Sequence, residues 1–181
     1  MKVVTLCLLV TGHGGQTVWL MDVRNLTISK EQVRCRIGDP IKTSKPGSYT
    51  EEIVLDVSFS EAIVVVKYLK AYQQQTKPLR GDKTKLFFTT KAPHRRITRD
   101  TSQPWTKLCM QKAGIDTSVF TPHLTRAAAS SRALESNVVP LKTIVKTAAW
   151  KRISTFAAYY NKSIHKEGVW GQVVLAKGRS L

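Results

Sequence analysis

Apolar positions first gather at residues 2–10, "KVVTLCLLV", where they run almost unbroken around a helical wheel. Such a run predicts a helix buried on nearly every side. It stops at the glycines of "TGHGGQT", and "QTVWLMDV" predicts a helical continuation beyond them. Residues 32–37 (QVRCRI) and 51–58 (EEIVLDVS) then alternate apolar and polar, the period of half-buried strands. Turn-forming residues fill the interval, "GDPIKTSKPGSY", so the two strands read as an antiparallel hairpin with a long basic tip.

From residue 60 the period changes. Residues 60–77 (SEAIVVVKYLKAYQQQTK) predict a helix behind a serine cap, although the β-branched run Ile63 to Val66 works against it. Residues 84–90 (TKLFFTT) predict a short strand. The stretch "DTSQPWTKLCMQKAGI" predicts a helix capped by Asp100, with Gln103 at the capping-box position, Pro104 in the first turn and Gly114 at the end. Three short helices follow, at about 122–135, 140–149 and 153–160, the second started by Pro140. The tail, "GVWGQVVLAKGRSL", offers one more short strand. There is no internal repeat. The order predicts an α+β domain, mainly helical, with a small antiparallel sheet.

Composition narrows the partners. A hydrophobic fraction of 42% over 181 residues fits one globular domain and excludes a disordered chain. Lys+Arg is 29 against Asp+Glu 12, a formal charge of +17, which favours a polyanion such as nucleic acid. The charge is dense at the end. Lys142, Lys146, Lys151, Arg152, Lys162, Lys166, Lys177 and Arg179 face one acid, Glu167, in the last 42 residues. Cys7, Cys35 and Cys109 are odd in number and show no CxxC spacing, which argues against a disulfide framework or a zinc site. The first apolar run is short for a signal peptide, and "HGGQT" is a poor cleavage site, so a buried first helix is the better reading. No apolar stretch approaches the roughly 18 residues of a membrane span.

The polar residues hard to assign to a core are Lys42, His123, Arg126, Trp150 and Tyr159. Each alone has an ordinary explanation. Lysines at hairpin tips are solvated, a single H-x-x-R arises by chance, and tryptophans and tyrosines pack in cores. Their order is more informative: a lysine in a hairpin, H-x-x-R opening an alanine-rich helix in "TPHLTRAAASSRA", then Trp150 in "TAAWKRISTFAAYYNK", and Tyr159 nine residues later. This arrangement resembles the catalytic domain of the tyrosine recombinases, or phage-integrase family, over nearly the whole chain. The wording is most similar to recombinases of animal mobile elements.

The resemblance implies a DNA strand-exchange chemistry. A tyrosine hydroxyl, here Tyr159, attacks a DNA phosphodiester to give a 3′-phosphotyrosyl link and a free 5′-hydroxyl. The bond energy is kept, so no cofactor and no metal is implied. Arg126 would neutralise the negative charge gathering on the non-bridging oxygens, as a forked and permanent cation can. His123, on the same helical face, would share that oxygen or assist proton transfer. Trp150 would donate its indole N–H where many relatives use histidine. Lys42 would protonate the leaving oxygen, with Lys45 in the same tip as its fallback and Tyr160 as the fallback nucleophile. Lys45, Lys146, Lys151 and Arg152 would bind DNA. His123 and Arg126 are expected at the floor of a basic concavity, faced by Tyr159 and Lys42.

One position departs from the pattern. The family carries a first arginine in text like "TGxRxxExxxL", and here, in "TGHGGQTVWLM", the matching position is Gly14. His13 is adjacent but expected to point elsewhere, and Arg24 lies ten residues on. The chain also begins at Met1 where relatives have an N-terminal DNA-clamping domain, so residues 1–181 are expected to be the catalytic domain alone, with 161–181 a C-terminal tail able to exchange between protomers. The implied partner is double-stranded DNA, met by a homo-oligomer on DNA, with no membrane and an intracellular, nuclear setting. Two outcomes stay open: cleavage and rejoining impaired by Gly14, or a catalytically inactive DNA-binding remnant of a mobile-element recombinase. A basic structural or RNA-binding protein is disfavoured, because RRM-like stacking motifs are absent.

Overall fold

The computed structural model describes residues 1–30, 32–41, 52–56, 60–148, 150 and 152–159. The predicted hairpin tip and the predicted tail strand lie outside them, with the tail itself. The described elements are α1 (Lys2–Thr11), α2 (Gly15–Leu20), β1 (Leu26–Ile28), β2 (Gln32–Arg36), β3 (Glu52–Asp56), α3 (Ser60–Arg80), α4 (Arg99–Lys112), α5 (Leu124–Glu135), α6 (Leu141–Thr147) and α7 (Ile153–Tyr159). The chain is mainly helical, with one three-stranded antiparallel sheet ordered β1-β2-β3.

The predicted hairpin forms. β2 pairs with β3 in the register Val33↔Leu55 and Cys35↔Ile53, which sends Val33, Cys35 and Ile53 into the core and turns Arg34 and Arg36 outward. β1 joins the other edge of β2. At three residues it is too short for alternation to announce it.

The main core lies between α1, the inner face of the sheet, α3 and the segment around Leu86 and Phe87. α1 is less enclosed than its apolar sequence predicts. It packs against α2, α3, α4, α5 and β3, yet Leu9 and Val10 remain 38% and 40% exposed. The neighbours leave one stripe of the helix uncovered. A second, smaller cluster joins α6 and α7 through Ile144, Val145 and Phe156, with Leu134, Leu141 and Trp150 packed around it.

The predicted strand at 84–90 is not formed as a ladder. Its pairing is limited to isolated bridges, Lys85 with Asp22 and Phe88 with Arg96. Leu86, Phe87 and Phe88 are buried in succession, so the segment has no solvent face to alternate toward. Scattered backbone bonds to Met21, Val23, Arg95 and Ile97 are supplemented by side chains. Arg80 donates to the carbonyls of Lys85 and Leu86 at 2.8 and 3.2 Å, and the Tyr72 hydroxyl exchanges hydrogen bonds with the N–H and C=O of Phe88. The same anchoring of Arg80 holds the last turn of α3, which runs through Pro78 beyond the predicted end at residue 77.

α4 begins earlier than expected. Its N-cap is Thr98, so Asp100 sits inside the first turn, where its charge still complements the helix dipole, and Pro104 falls within the helix. The predicted capping box of Asp100 and Gln103 is therefore absent. Pro140 caps α6 rather than occupying its first helical position, and His123 caps α5.

Candidate functional site

Arg126 organises the site. It stands in the first turn of α5, whose buried small residues Ala127, Ser130 and Ser131 allow α1 to pack close alongside. Gly12 ends α1 in the left-handed conformation, at φ 61°, which turns the chain sharply. Its carbonyl accepts from Arg126 Nε at 3.0 Å, and the carbonyl of Ala148, the C-cap of α6, accepts from Nη2. One guanidinium thus closes the C-terminal ends of two helices, where unsatisfied carbonyls and the helix dipole both favour a cation. Its flat face lies over the Trp150 indole, with Cζ 3.5 Å from the ring centroid.

The remaining nitrogen, Nη1, is directed at Gly14. A Cβ built on Gly14 would sit 3.4 Å from it, ordinary contact at the edge of tightness. Gly14 has φ −67° and ψ 153°, which any residue adopts. Its backbone therefore does not require glycine. Gly15 differs: a Cβ there would meet the Trp19 ring at 2.7 Å, and Trp19 is itself fixed by an Nε1 bond to Ser102 at 2.9 Å.

Around this centre opens a cleft of about 800 Å³. The start of α2 forms one wall, with Gly14, Gln16 and Trp19. Arg96 and the beginning of α4, Thr98 to Asp100, form another. Arg126, Trp150 and Thr155 of α7 complete it, and Leu20, Ile41 and Ile97 give it an apolar lining.

The structure brings Arg126, Trp150 and position 14 together. Trp150 meets Arg126 through its ring face, and its indole nitrogen is buried. His123 is exposed at the α5 cap, three residues before Arg126, and does not line the cleft. Lys146 on α6 and Arg152 before α7 are exposed. Tyr159 ends α7 one helical turn after Thr155; its side chain, like Lys42, Lys45 and Lys151, lies outside the described structure. His13 is buried and takes no part in the cleft lining. Arg24 is engaged elsewhere, in a two-pronged pair with Asp22. Arg96, Arg99, Trp19 and Thr155 are lining residues that the sequence reading passed over. The run "HRRITRD" at 94–100 was the available signal for the two arginines, but it reads equally as a solvated face.

Among the described residues no group of three or more His, Cys, Asp or Glu is placed to hold a metal ion. No helix among them is long and apolar enough to cross a membrane.

Comparison with known proteins decides the family. Residues 3–166 match the phage integrase family. The chain belongs to the phage integrase family. Solved structures similar to this integrase-family chain include XerA recombinase, at 15% identity and a TM-score of 0.67 over 99% of this chain. Another is XerH site-specific recombinase bound to difH substrate in a pre-cleavage complex, at 11% identity and a TM-score of 0.69 over 98% of this chain. At such identities the likeness establishes the fold. The chain spans 62% of the XerA chain and 44% of the XerH chain. No curated protein matches it.

Proposed function

We propose that this chain binds duplex DNA over the Arg126 cleft and acts there as a tyrosine-type recombinase weakened by Gly14. The observation that carries the reading is the placement of Arg126. Two helix-end carbonyls and an indole face preorganise a permanent cation in a cleft with apolar walls, where electrostatic stabilisation is stronger than in water. A phosphodiester seated against it would lie beside α7, the helix that ends in Tyr159.

In this reading the Tyr159 oxygen bonds to phosphorus while the bond to the 5′-oxygen breaks. The tyrosine proton leaves to water, His123 being exposed outside the cleft lining, and Lys42 returns a proton to the 5′-oxygen. Arg126 offsets charge on the non-bridging oxygens, and Trp150 holds Arg126 in orientation. Lys45, Lys146, Lys151 and Arg152 contact flanking phosphates. The step uses bond energy already in the DNA and calls for no cofactor. A homo-oligomer assembled on DNA, a mobile-element origin and a nuclear setting belong to the same reading.

The second reading, a DNA-binding remnant without cleavage, is favoured by one observation. Position 14, where the family sequence carries arginine, offers no side chain beside Nη1 of Arg126.

The test is covalent trapping on a pool of nicked duplexes of randomised sequence. The proposal expects a protein–DNA adduct that Tyr159→Phe abolishes. Binding without adduct, in the natural chain and in Gly14→Arg alike, selects the remnant. Absence of duplex binding at low salt overturns both readings.

A further inference from the structure

The same cleft holds three arginines against one acid, Asp100, among its described lining residues. Arg126 is fixed by Gly12, Ala148 and Trp150. Arg96 and Arg99 are in a different condition. Both are exposed, and their guanidiniums make no hydrogen bond or ion pair with another described residue. Each follows or precedes a fixed point of the fold. Arg96 bridges Phe88 through its backbone, Ile97 is buried at 1% exposure and donates its N–H to Phe87, and Arg99 opens α4 directly after its cap. The backbone that carries the two arginines is therefore held, while their charged ends are available to the cleft.

We infer that Arg96 and Arg99 form a second phosphate-binding site in this cleft, supplying the guanidinium contact that position 14 lacks. The inference rests on the proposed reading of the cleft as the DNA site. A forked guanidinium binds a phosphodiester through paired N–H donors, and two such groups within one cleft can divide the non-bridging oxygens with Arg126. Asp100 sets a condition on the site: it repels phosphate, so the group must seat on the Arg96 side of the α4 start. The ligand class is a backbone phosphate of duplex DNA rather than a base, since the arginines meet it from a cleft shared with the reacting centre.

The experiment measures the affinity of the full chain for a labelled 30-base-pair duplex across a salt series. Each phosphate neutralised contributes about 0.9 to the slope of log affinity on log salt. Arg96→Ala with Arg99→Ala, which empties one phosphate site, should lower that slope by about 0.9, and adding Gly14→Arg should restore most of the loss. Lys146→Ala with Arg152→Ala should lower the slope in a way that Gly14→Arg does not restore. An unchanged slope in the Arg96/Arg99 variant, with a lowered slope in Arg126→Gln, overturns the inference and leaves the cleft as the DNA site. A lowered slope that Gly14→Arg fails to restore places the two arginines on phosphates away from position 14 and also overturns it. Slopes unchanged in both the Arg126→Gln and Arg96/Arg99 variants overturn the proposed function itself. Arg96 and Arg99 are exposed, so thermal melts of their variants should match the natural chain and exclude misfolding as the cause.

Discussion

The Arg126 guanidinium lies flat on the Trp150 indole, 3.5 Å from Cζ to the ring centroid. Trp150 also packs on the small core formed by Ile144, Val145 and Phe156. The indole thus couples the cation of the cleft to the cluster that holds α6 and α7 together.

Removing that ring should cost both stability and DNA affinity. Trp150→Ala loses a cation–π contact of about 1–2 kcal/mol, together with the packing of a large ring. For a domain of this size each kcal/mol lowers the melting temperature by about 2–4 °C. Trp150→Phe keeps a ring face and should lose less than half as much. Melting temperatures of the three proteins check the order. Equal losses for Ala and Phe would show that Arg126 gains nothing from an aromatic face.

The two neighbouring glycines should respond oppositely to a methyl group. Gly14→Ala enters an ordinary backbone conformation with its Cβ in contact with Arg126 Nη1. Its effect should stay within about 1 kcal/mol, and the loss of unfolded-state freedom favours a gain. Gly15→Ala drives a Cβ into Trp19, whose indole is tied to Ser102. That overpacking should cost about 1–3 kcal/mol. Denaturant midpoints of the two variants provide the comparison, and a reversed order would contradict the geometry around Trp19.

Acid should expose the role of Asp22. It is 3% exposed and accepts from Nε and Nη2 of Arg24, each at 2.9 Å. Those Arg24 hydrogen bonds, ahead of other causes, hold its pKa at about 2, below the ordinary 3.8. The folded value is the lower one, so the stabilisation is complete above about pH 4 and lost as pH falls toward 2. Thermal melts between pH 6 and pH 2 should show this loss in the natural chain and a flatter profile in Asp22→Asn. Parallel profiles would mean that the pair does not contribute.

The thiols should separate by burial. Cys7 is 4% exposed, and desolvation pushes its pKa up to about 12; burial also raises Cys35, which is fully enclosed. Cys109 is only partly buried. Since the thiolate is the reactive species, a thiol reagent at neutral pH should label Cys109 first, and Cys7 and Cys35 only on unfolding. Rapid labelling of Cys7 in the native protein would contradict the burial of α1.

The hairpin was legible because its two faces differ in chemistry: Val33 and Cys35 point in, Arg34 and Arg36 point out. The segment 84–90 was not, because its backbone is shared among isolated bridges to separate segments and the Arg80 and Tyr72 side chains. No alternation announces such mixed pairing. At the site, the family resemblance marked Arg126, Trp150 and position 14, which the fold gathers into one cleft. It could not mark Arg96 and Arg99, since a basic run looks the same whether it lines a cleft or faces solvent. Nor could it distinguish an indole used through its N–H from one used through its ring face, which depends on where Arg126 lies.

Gly14→Arg should convert a weak or silent cleavage activity into a measurable one. The present residue offers at most a backbone N–H beside Nη1 of Arg126, a weaker donor for a charged transition state than a guanidinium. Loss of one preorganised donor typically costs about 10²–10³ in rate, so restoring it should raise phosphotyrosyl adduct by up to that factor. The backbone at position 14 accepts a side chain, which makes the gain attainable without moving α2. Adduct should be quantified for the natural chain, for Gly14→Arg, and for Gly14→Arg combined with Tyr159→Phe. The combined variant should return to background. Adduct that survives Tyr159→Phe would assign the nucleophile to Tyr160 and break the nine-residue spacing from Trp150. Equal, strong adduct from the natural chain and Gly14→Arg would show that the charge at position 14 is already supplied by other residues of the cleft, with Arg96 and Arg99 the first to test.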